Sequence, residues 1–322
     1  MAGAGGSVGG SAAGASVVGG VGGVSGGSGS GTAGGGAGAG GSAGAADAGP
    51  AVDRSDPQLH HLTFTAKDAE PAATLILNQQ NALLDTRVEP VGKLVVYLHG
   101  AGAPSNCGNN GLAELVVGWG YHWFSPCYSS DYGVAGCGDD IGGCRREAFE
   151  GVDHHDFISV SRPDSIEGRV VAALKYLRDQ NPQGDWGYFL EGDEPRWAKI
   201  VISGQSHGAS SAGLIGMYRA VSRVVMLAGP LDSGQAWLEQ TPLSPIQSYF
   251  AFSHTADDQH PGHLEAFATL GMPGAPTSVD GAQPPYGQSH RLISSRATNN
   301  GHNAVTDANI DDYHPVFEYL YR

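Results

Sequence analysis

The residues most able to do chemistry lie in Lys199-Ile200-Val201-Ile202-Ser203-Gly204-Gln205-Ser206-His207-Gly208-Ala209-Ser210-Ser211-Ala212. Its first half is a short β-branched run between Trp197 and Gly204, which reads as a buried strand. Its second half is rich in Ala and Gly and runs on through Leu214, Ile215 and Met217, which reads as a helix packed close to a sheet. A serine on such a strand-to-helix turn is held with its hydroxyl above the sheet edge. Glycines two residues to either side, Gly204 and Gly208, are needed because a Cβ there would strike the neighbouring backbone. The helix start adds backbone N–H groups and the positive end of the dipole. The chemistry that fits is nucleophilic attack by Ser206. The plainer alternative is a surface serine on a glycine-rich turn, in a chain with 51 glycines; the flanking strand and helix favour catalysis.

A serine hydroxyl is a weak nucleophile, so it needs a general base, and the base needs an orienting carboxylate. Two later loops offer both. The run Ser248–Ser253 (SYFAFS) is followed by His254-Thr255-Ala256-Asp257-Asp258-Gln259-His260-Pro261, and the last strand by Asn299-Asn300-Gly301-His302-Asn303-Ala304-Val305. Upstream, Leu94–Leu98 runs into the tight loop His99-Gly100-Ala101-Gly102-Ala103.

In this order the motifs resemble the α/β-hydrolase superfamily, in its serine esterase, lipase/cutinase-like branch, over Leu59 to Arg322. The strings WAKIVISGQSHG and RVVMLAGPLD also resemble a bacterial exported subfamily. The resemblance implies Ser206 as nucleophile, then the acid, then the histidine. An Asp three residues past the strand with a Pro four later selects Asp257; Asp258 and Asp232 are the alternatives. His302 takes the place of the base. His314 competes, but Pro315 and the apolar residues after it suggest a helix start instead. The oxyanion donors would be the N–H groups of His207 and Ala101, the latter in a loop that resembles the superfamily's H-G-x-G. His207 departs from the small residue or Met common after the nucleophile; its side chain is expected either to meet substrate or to cap the helix.

The elements that must position these residues alternate between strand and helix. Strands are expected at Leu59–Ala66, near Ala73–Leu77, at Leu94–His99, Tyr121–Phe124, Lys199–Ser203, Val224–Leu227, Ser248–Ser253 and Arg291–Ser295. Helices are expected at Leu112–Val117, at Ser165–Asp179 with Ser165 as N-cap, after Ser206, at Gly262–Leu270 and at Tyr313–Tyr321. Tyr128–Pro163 breaks the rhythm and reads as a long loop stapled by cysteines. The fold class is therefore α/β, a doubly wound and mostly parallel sheet with this insertion. Only Gly229 to Gln247 follows the Val224 strand, so no large lid is expected and the cleft should be open.

Composition bounds the rest. Residues 1–46 are nearly all Gly, Ala, Ser and Val, with too little to bury to offset the entropy of ordering. Residues 1–56 are expected to be a disordered linker and 57–322 the catalytic domain. Met1 directly before a glycine tract is read as a start from which any signal peptide has been removed. No apolar run is long enough to span a membrane. A net charge of −15, with 17 Lys and Arg spread without a cluster, argues against nucleic acid. The four cysteines, Cys107, Cys127, Cys137 and Cys144, fit two disulfides and an oxidising compartment, hence a secreted or surface protein. Of three connectivities, Cys107–Cys127 with Cys137–Cys144 is preferred. A zinc site would want a closer C-x-x-C pair.

Two other clusters invite a metal reading: His254, Asp257, Asp258, His260 and His263, and His154, His155 and Asp156. They lie on loops without a helical i, i+4 pair, so neither metal nor cofactor is expected. Trp119, Trp123, Trp186, Tyr132 and Trp237 could wall a pocket but fit a core better. The expected function is hydrolysis of small or polymeric carboxylic esters through an acyl-enzyme. Its rivals are a peptidase or amidase of the same fold and an exported binding module that keeps the fold without turnover.

Overall fold

The computed structural model describes residues 48–102, 104–307 and 310–322. The glycine-rich stretch read as a linker falls, up to residue 47, outside them. Nine strands form one sheet: β1 (Leu59–Thr65), β2 (Gln79–Asp85), β3 (Leu94–Leu98), β4 (His122–Ser125), β5 (Ile200–Gln205), β6 (Arg223–Leu227), β7 (Tyr249–His254), β8 (Thr277–Ser278) and β9 (Arg291–Ser294). Their order is β1-β2-β4-β3-β5-β6-β7-β9-β8. The β1–β2 and β2–β4 pairs are antiparallel and every other pair is parallel.

The central strands are apolar on both faces because helices cover both. Alternation along β3 shows the division. Leu94, Val96 and Leu98 enter one core, while Val95 and Tyr97 enter the other. The second core is closed by α1 (Asn110–Val117). The first is closed by α2 (Ile141–Glu150), α3 (Ile166–Gln180), α4 (His207–Tyr218) and α5 (His260–Thr269). The last helix, α6 (His314–Tyr321), returns to the face of α1. Ser165 caps α3, its Oγ accepting from the Gly168 N–H at 3.1 Å.

Two expectations fail, each for a physical reason. Ala73–Leu77 is not a strand. Its backbone is satisfied by side chains instead: Asp164 accepts from the N–H groups of Thr74 and Leu75 at 2.8 and 2.9 Å, and Arg169 donates to the carbonyls of Leu75 and Ile76. The strand begins at Gln79, where buried Gln80 and Asn81 disguised it. The insertion is not one long loop either, since Val134–Cys137 and α2 are helical. Gly142 and Gly143 lower helix propensity there, yet Asp140 caps α2 through the Gly143 N–H at 2.9 Å, and Ile141, Cys144, Ala148 and Phe149 bury its inner face. Both disulfides, Cys107–Cys127 and Cys137–Cys144, are formed. Trp123, Trp186, Trp237 and Tyr132 lie in the core.

Residues 48–56 lie against the body. The Ala51 N–H donates to Asp185 at 2.7 Å, the Asp53 N–H donates to the Gln183 carbonyl at 2.8 Å, and Arg54 pairs with Glu89. A chain starting at residue 57 is therefore expected to be less stable than one starting at residue 48, by about 1–2 kcal/mol from the lost hydrogen bonds. Equal midpoints in urea unfolding of the two chains would show that these contacts contribute nothing.

Candidate active site

Ser206 joins the end of β5 to the start of α4 at φ 56° and ψ −120°. For a residue with a Cβ this is a strained backbone, costing roughly 1–3 kcal/mol, and it persists only where the surroundings over-determine it. They do so here. The Ser206 N–H donates to the Leu227 carbonyl at 2.9 Å. A Cβ on Gly208 would stand 2.1 Å from the Leu98 oxygen, and one on Gly204 2.3 Å from the Gly208 oxygen. Both glycines are thus required by close backbone approach. Residues 207–217 of α4 are buried all round, which explains their small side chains.

The loop after β3 closes over the serine. A Cβ on Gly100 would lie 3.5 Å from the Ser206 Cβ and 3.9 Å from its Oγ, so this loop runs within van der Waals reach of the serine side chain. Tyr128 secures this loop by donating its hydroxyl to the His99 carbonyl at 2.8 Å. His99 turns back, Nδ1 on the Gly100 carbonyl at 2.7 Å and Nε2 facing the Tyr128 N–H at 3.4 Å. Ala101 is exposed next to Gly100. The N–H of His207, first in its helix, has no intrahelical acceptor. The His207 side chain neither caps α4 nor faces solvent. It is buried, edge-on to Tyr132 at 4.6 Å, with Nδ1 3.4 Å from the Tyr128 hydroxyl.

The acid and base loops meet. His302 Nδ1 lies 2.7 Å from Asp257 Oδ2, and Asp257 Oδ1 accepts from the Gln259 N–H at 3.0 Å. A carboxylate only accepts, so the imidazole proton sits on Nδ1 and the Nε2 lone pair is the acceptor of the ring. Asp257 is buried while His302 is part-exposed. The short helix Gly301–Ala304 carries His302, and a Cβ on Gly301 would come within 2.5 Å of the Ala256 backbone. Gln205 Nε2 donates to Asn303 Oδ1 at 2.6 Å, so the neighbour of Ser206 holds the neighbour of His302. An open pocket lined by Asp257, Asp258, Gln259, Asn299, Asn300 and His302 lies beside the pair.

The other candidates are placed elsewhere. Asp258 is exposed and Asp232 is buried against Arg145, so of the three carboxylates only Asp257 bonds to His302 among the described residues. His314 opens α6, ahead of Pro315. The imidazoles of the two metal-like clusters have protein partners. His254 bonds to the Arg296 carbonyl, His260 and His263 to Ser253, His154 to Glu150 and His155 to the Cys137 carbonyl. Sequence reasoning missed Arg145, whose only signal was an arginine beside Cys144 in a stretch read as loop.

Burial drives several imidazoles toward the neutral form. His122 is pushed down to about 4, and His263 and His99 fall below the usual histidine value. His207 falls well below it, through burial and then the Arg145 charge. These groups bind protons more readily unfolded than folded, so their contribution is fully present above about pH 6.5 and is lost as pH falls toward 4. Urea unfolding at pH 7 and pH 5 should show this, at up to about 1.4 kcal/mol per pH unit for each imidazole. A flat stability between the two pH values would refute it.

No protein-family model matches the chain, and no curated protein matches it. Among solved structures it is similar to an esterase B from Lactobacillus rhamnosis, studied with a tributyrin phosphonate, at 12% identity and TM-score 0.44 over 82% of this chain and 86% of that one. It is also similar to dienelactone hydrolase from Anabaena variabilis, at 17% and 0.42 over 78% and 93%. A thermophilic esterase from the planctomycete Thermogutta terrifontis matches at 14% and 0.39 over 80% and 91%. By its own strand order, its parallel crossovers and the strained serine between β5 and α4, the chain has the α/β-hydrolase fold.

Proposed function

We propose that the chain is a serine hydrolase that cleaves carboxylic esters through an acyl-enzyme. Ser206 is the nucleophile, His302 its base, Asp257 the carboxylate that orients the base, and the N–H groups of Ala101 and His207 the oxyanion donors. The observation that carries this reading is the 2.7 Å His302–Asp257 bond, on loops tied by Gln205–Asn303 to the turn bearing a strained serine. Ser206 Oγ adds to the ester carbonyl as His302 Nε2 takes its proton. The oxyanion collapses, the alcohol leaves with that proton, and water repeats the cycle on the acyl-enzyme.

The loop Gly100–Gly102 offers little side chain beside the serine, and the connection after β6 has only the short helical turns Ala236–Glu239 and Ile246–Ser248. An uncovered cleft of this kind suits bulky or polymeric esters. Both disulfides fit export to an oxidising compartment, and no helix among the described residues is long and apolar enough to cross a membrane. We assign catalysis to residues 57–322, with residues 48–56 attached to that body.

A fluorophosphonate should label Ser206 stoichiometrically, and acyl esters should be turned over. Ser206→Ala and His302→Ala should each lower kcat by about 10⁴-fold or more, and the double variant scarcely further, because the groups act as a unit. Asp257→Asn should also lower kcat by a large factor, while Asp258→Asn stays close to wild type. Labelling that survives in Ser206→Ala would refute the assignment.

A further inference from the structure

We propose that Arg145 is a positioning residue for the nucleophile turn, held by Asp232 so that it fixes the His207 carbonyl. The inference rests on the reading of Ser206 as nucleophile and adds a residue from outside the three loops that carry the chemistry.

Ser206 is held in its strained backbone from two sides. On the strand side the constraints are backbone packing, the Ser206 N–H on Leu227, and Gly204 and Gly208 against Leu98. Gly229 adds to them, since a Cβ there would lie 3.1 Å from the Ser206 oxygen. On the helix side the His207 carbonyl accepts from Arg145 Nη1 at 3.2 Å and from Ser211 Oγ at 3.1 Å. Arg145 Nη1 also lies 3.3 Å from Ser211 Oγ. Any rotation at residues 206 and 207 that relaxes the serine must carry this carbonyl away from the guanidinium. The same rotation would turn the His207 N–H, one peptide earlier, away from the oxyanion.

The guanidinium is itself fixed. Its Nε and Nη2 donate to the two oxygens of Asp232 at 2.6 and 2.7 Å, and Trp237 Nε1 donates to the same carboxylate at 2.9 Å. Arg145, Asp232 and Ser211 are all buried. A planar fork is the shape that reaches a carboxylate with one edge and a carbonyl with the remaining nitrogen, which an ammonium cannot do. Helix packing alone does not require a buried ion pair, because apolar side chains of similar volume usually hold two helices as well or better. What the pair supplies is a directed contact from α2 to the first residue of α4.

The test uses Arg145→Met/Asp232→Leu, which removes both charges together and leaves neither one buried alone, and Arg145→Lys, which keeps the charge and loses the fork. The expected result for the double variant is a urea midpoint near wild type and kcat lower by about 10²-fold with KM little changed, the loss that a misplaced nucleophile brings. A crystal structure should show Ser206 leaving positive φ. Arg145→Lys should fold and also lose kcat; if the double variant does not fold, Arg145→Lys decides. Wild-type kcat with Ser206 still near φ 56° in either folded variant would overturn the proposal. The backbone readout does not depend on turnover. If the wild-type protein hydrolyses no ester and takes no fluorophosphonate, the hydrolase reading fails, while Ser206 φ in the variants still decides this one.

Discussion

The constraint on which the rest depends is the approach of α4 to the sheet. The helix starts so close to β3 and β5 that backbone meets backbone at Gly204, Gly208 and Leu98. It stays close along its length: a Cβ on Gly213 would lie 3.0 Å from Met226 Sδ, and one on Gly216 2.3 Å from the Tyr249 hydroxyl. A helix buried all round cannot be amphipathic, so it takes its orientation from neighbours on every side rather than from a solvent face. The turn that feeds such a helix has no freedom to relax, and this is how a serine comes to sit at positive φ with its hydroxyl at the mouth of the strands.

Burial that deep forces charged groups into structural work. Arg145–Asp232 and Arg169–Asp164 are both almost wholly buried ion pairs. Such pairs are poor stabilisers alone, because desolvation offsets the Coulomb attraction. In both, hydrogen-bonding capacity beyond the pair goes to backbone carbonyls or N–H groups. Arg169 and Asp164 satisfy residues 74–76 where a strand was expected, and Arg145 satisfies the carbonyl at the head of α4. The Arg169–Asp164 pair does for irregular backbone what a neighbouring strand does for regular backbone, while Arg145 adds a directed contact to the first turn of a helix.

That work also marks the limit of the sequence. The continuous apolar strand β3, the cap at Ser165 and the Gly204-x-Ser206-x-Gly208 turn were legible because each depends on residues adjacent in the chain. The Asp257–His302 pair was legible only through loop order, since 45 residues separate the two. Asp232 shows what local reading misses. An aspartate after a strand in this fold is a reasonable acid, and nothing near it in sequence reveals that Arg145, 87 residues away, already occupies both its oxygens. The helix α2 escaped notice for the same reason. Its glycines argue against helix, while the contacts that favour it are tertiary.

The two disulfides fasten the segments that bear Tyr128 and Arg145. Cys107–Cys127 fastens the chain after the Gly100 loop to the segment bearing Tyr128, whose hydroxyl holds the His99 carbonyl. Cys137–Cys144 closes the start of α2, one residue before Arg145. Irregular segments rich in Gly and Asp open more easily than core strands, so groups delivered by them are poorly fixed unless the segment is stapled. Through Tyr128 and Arg145 the insertion between β4 and α3 holds two pieces of backbone, the carbonyls of His99 and His207. Stapling is what makes so irregular a segment rigid enough to do that.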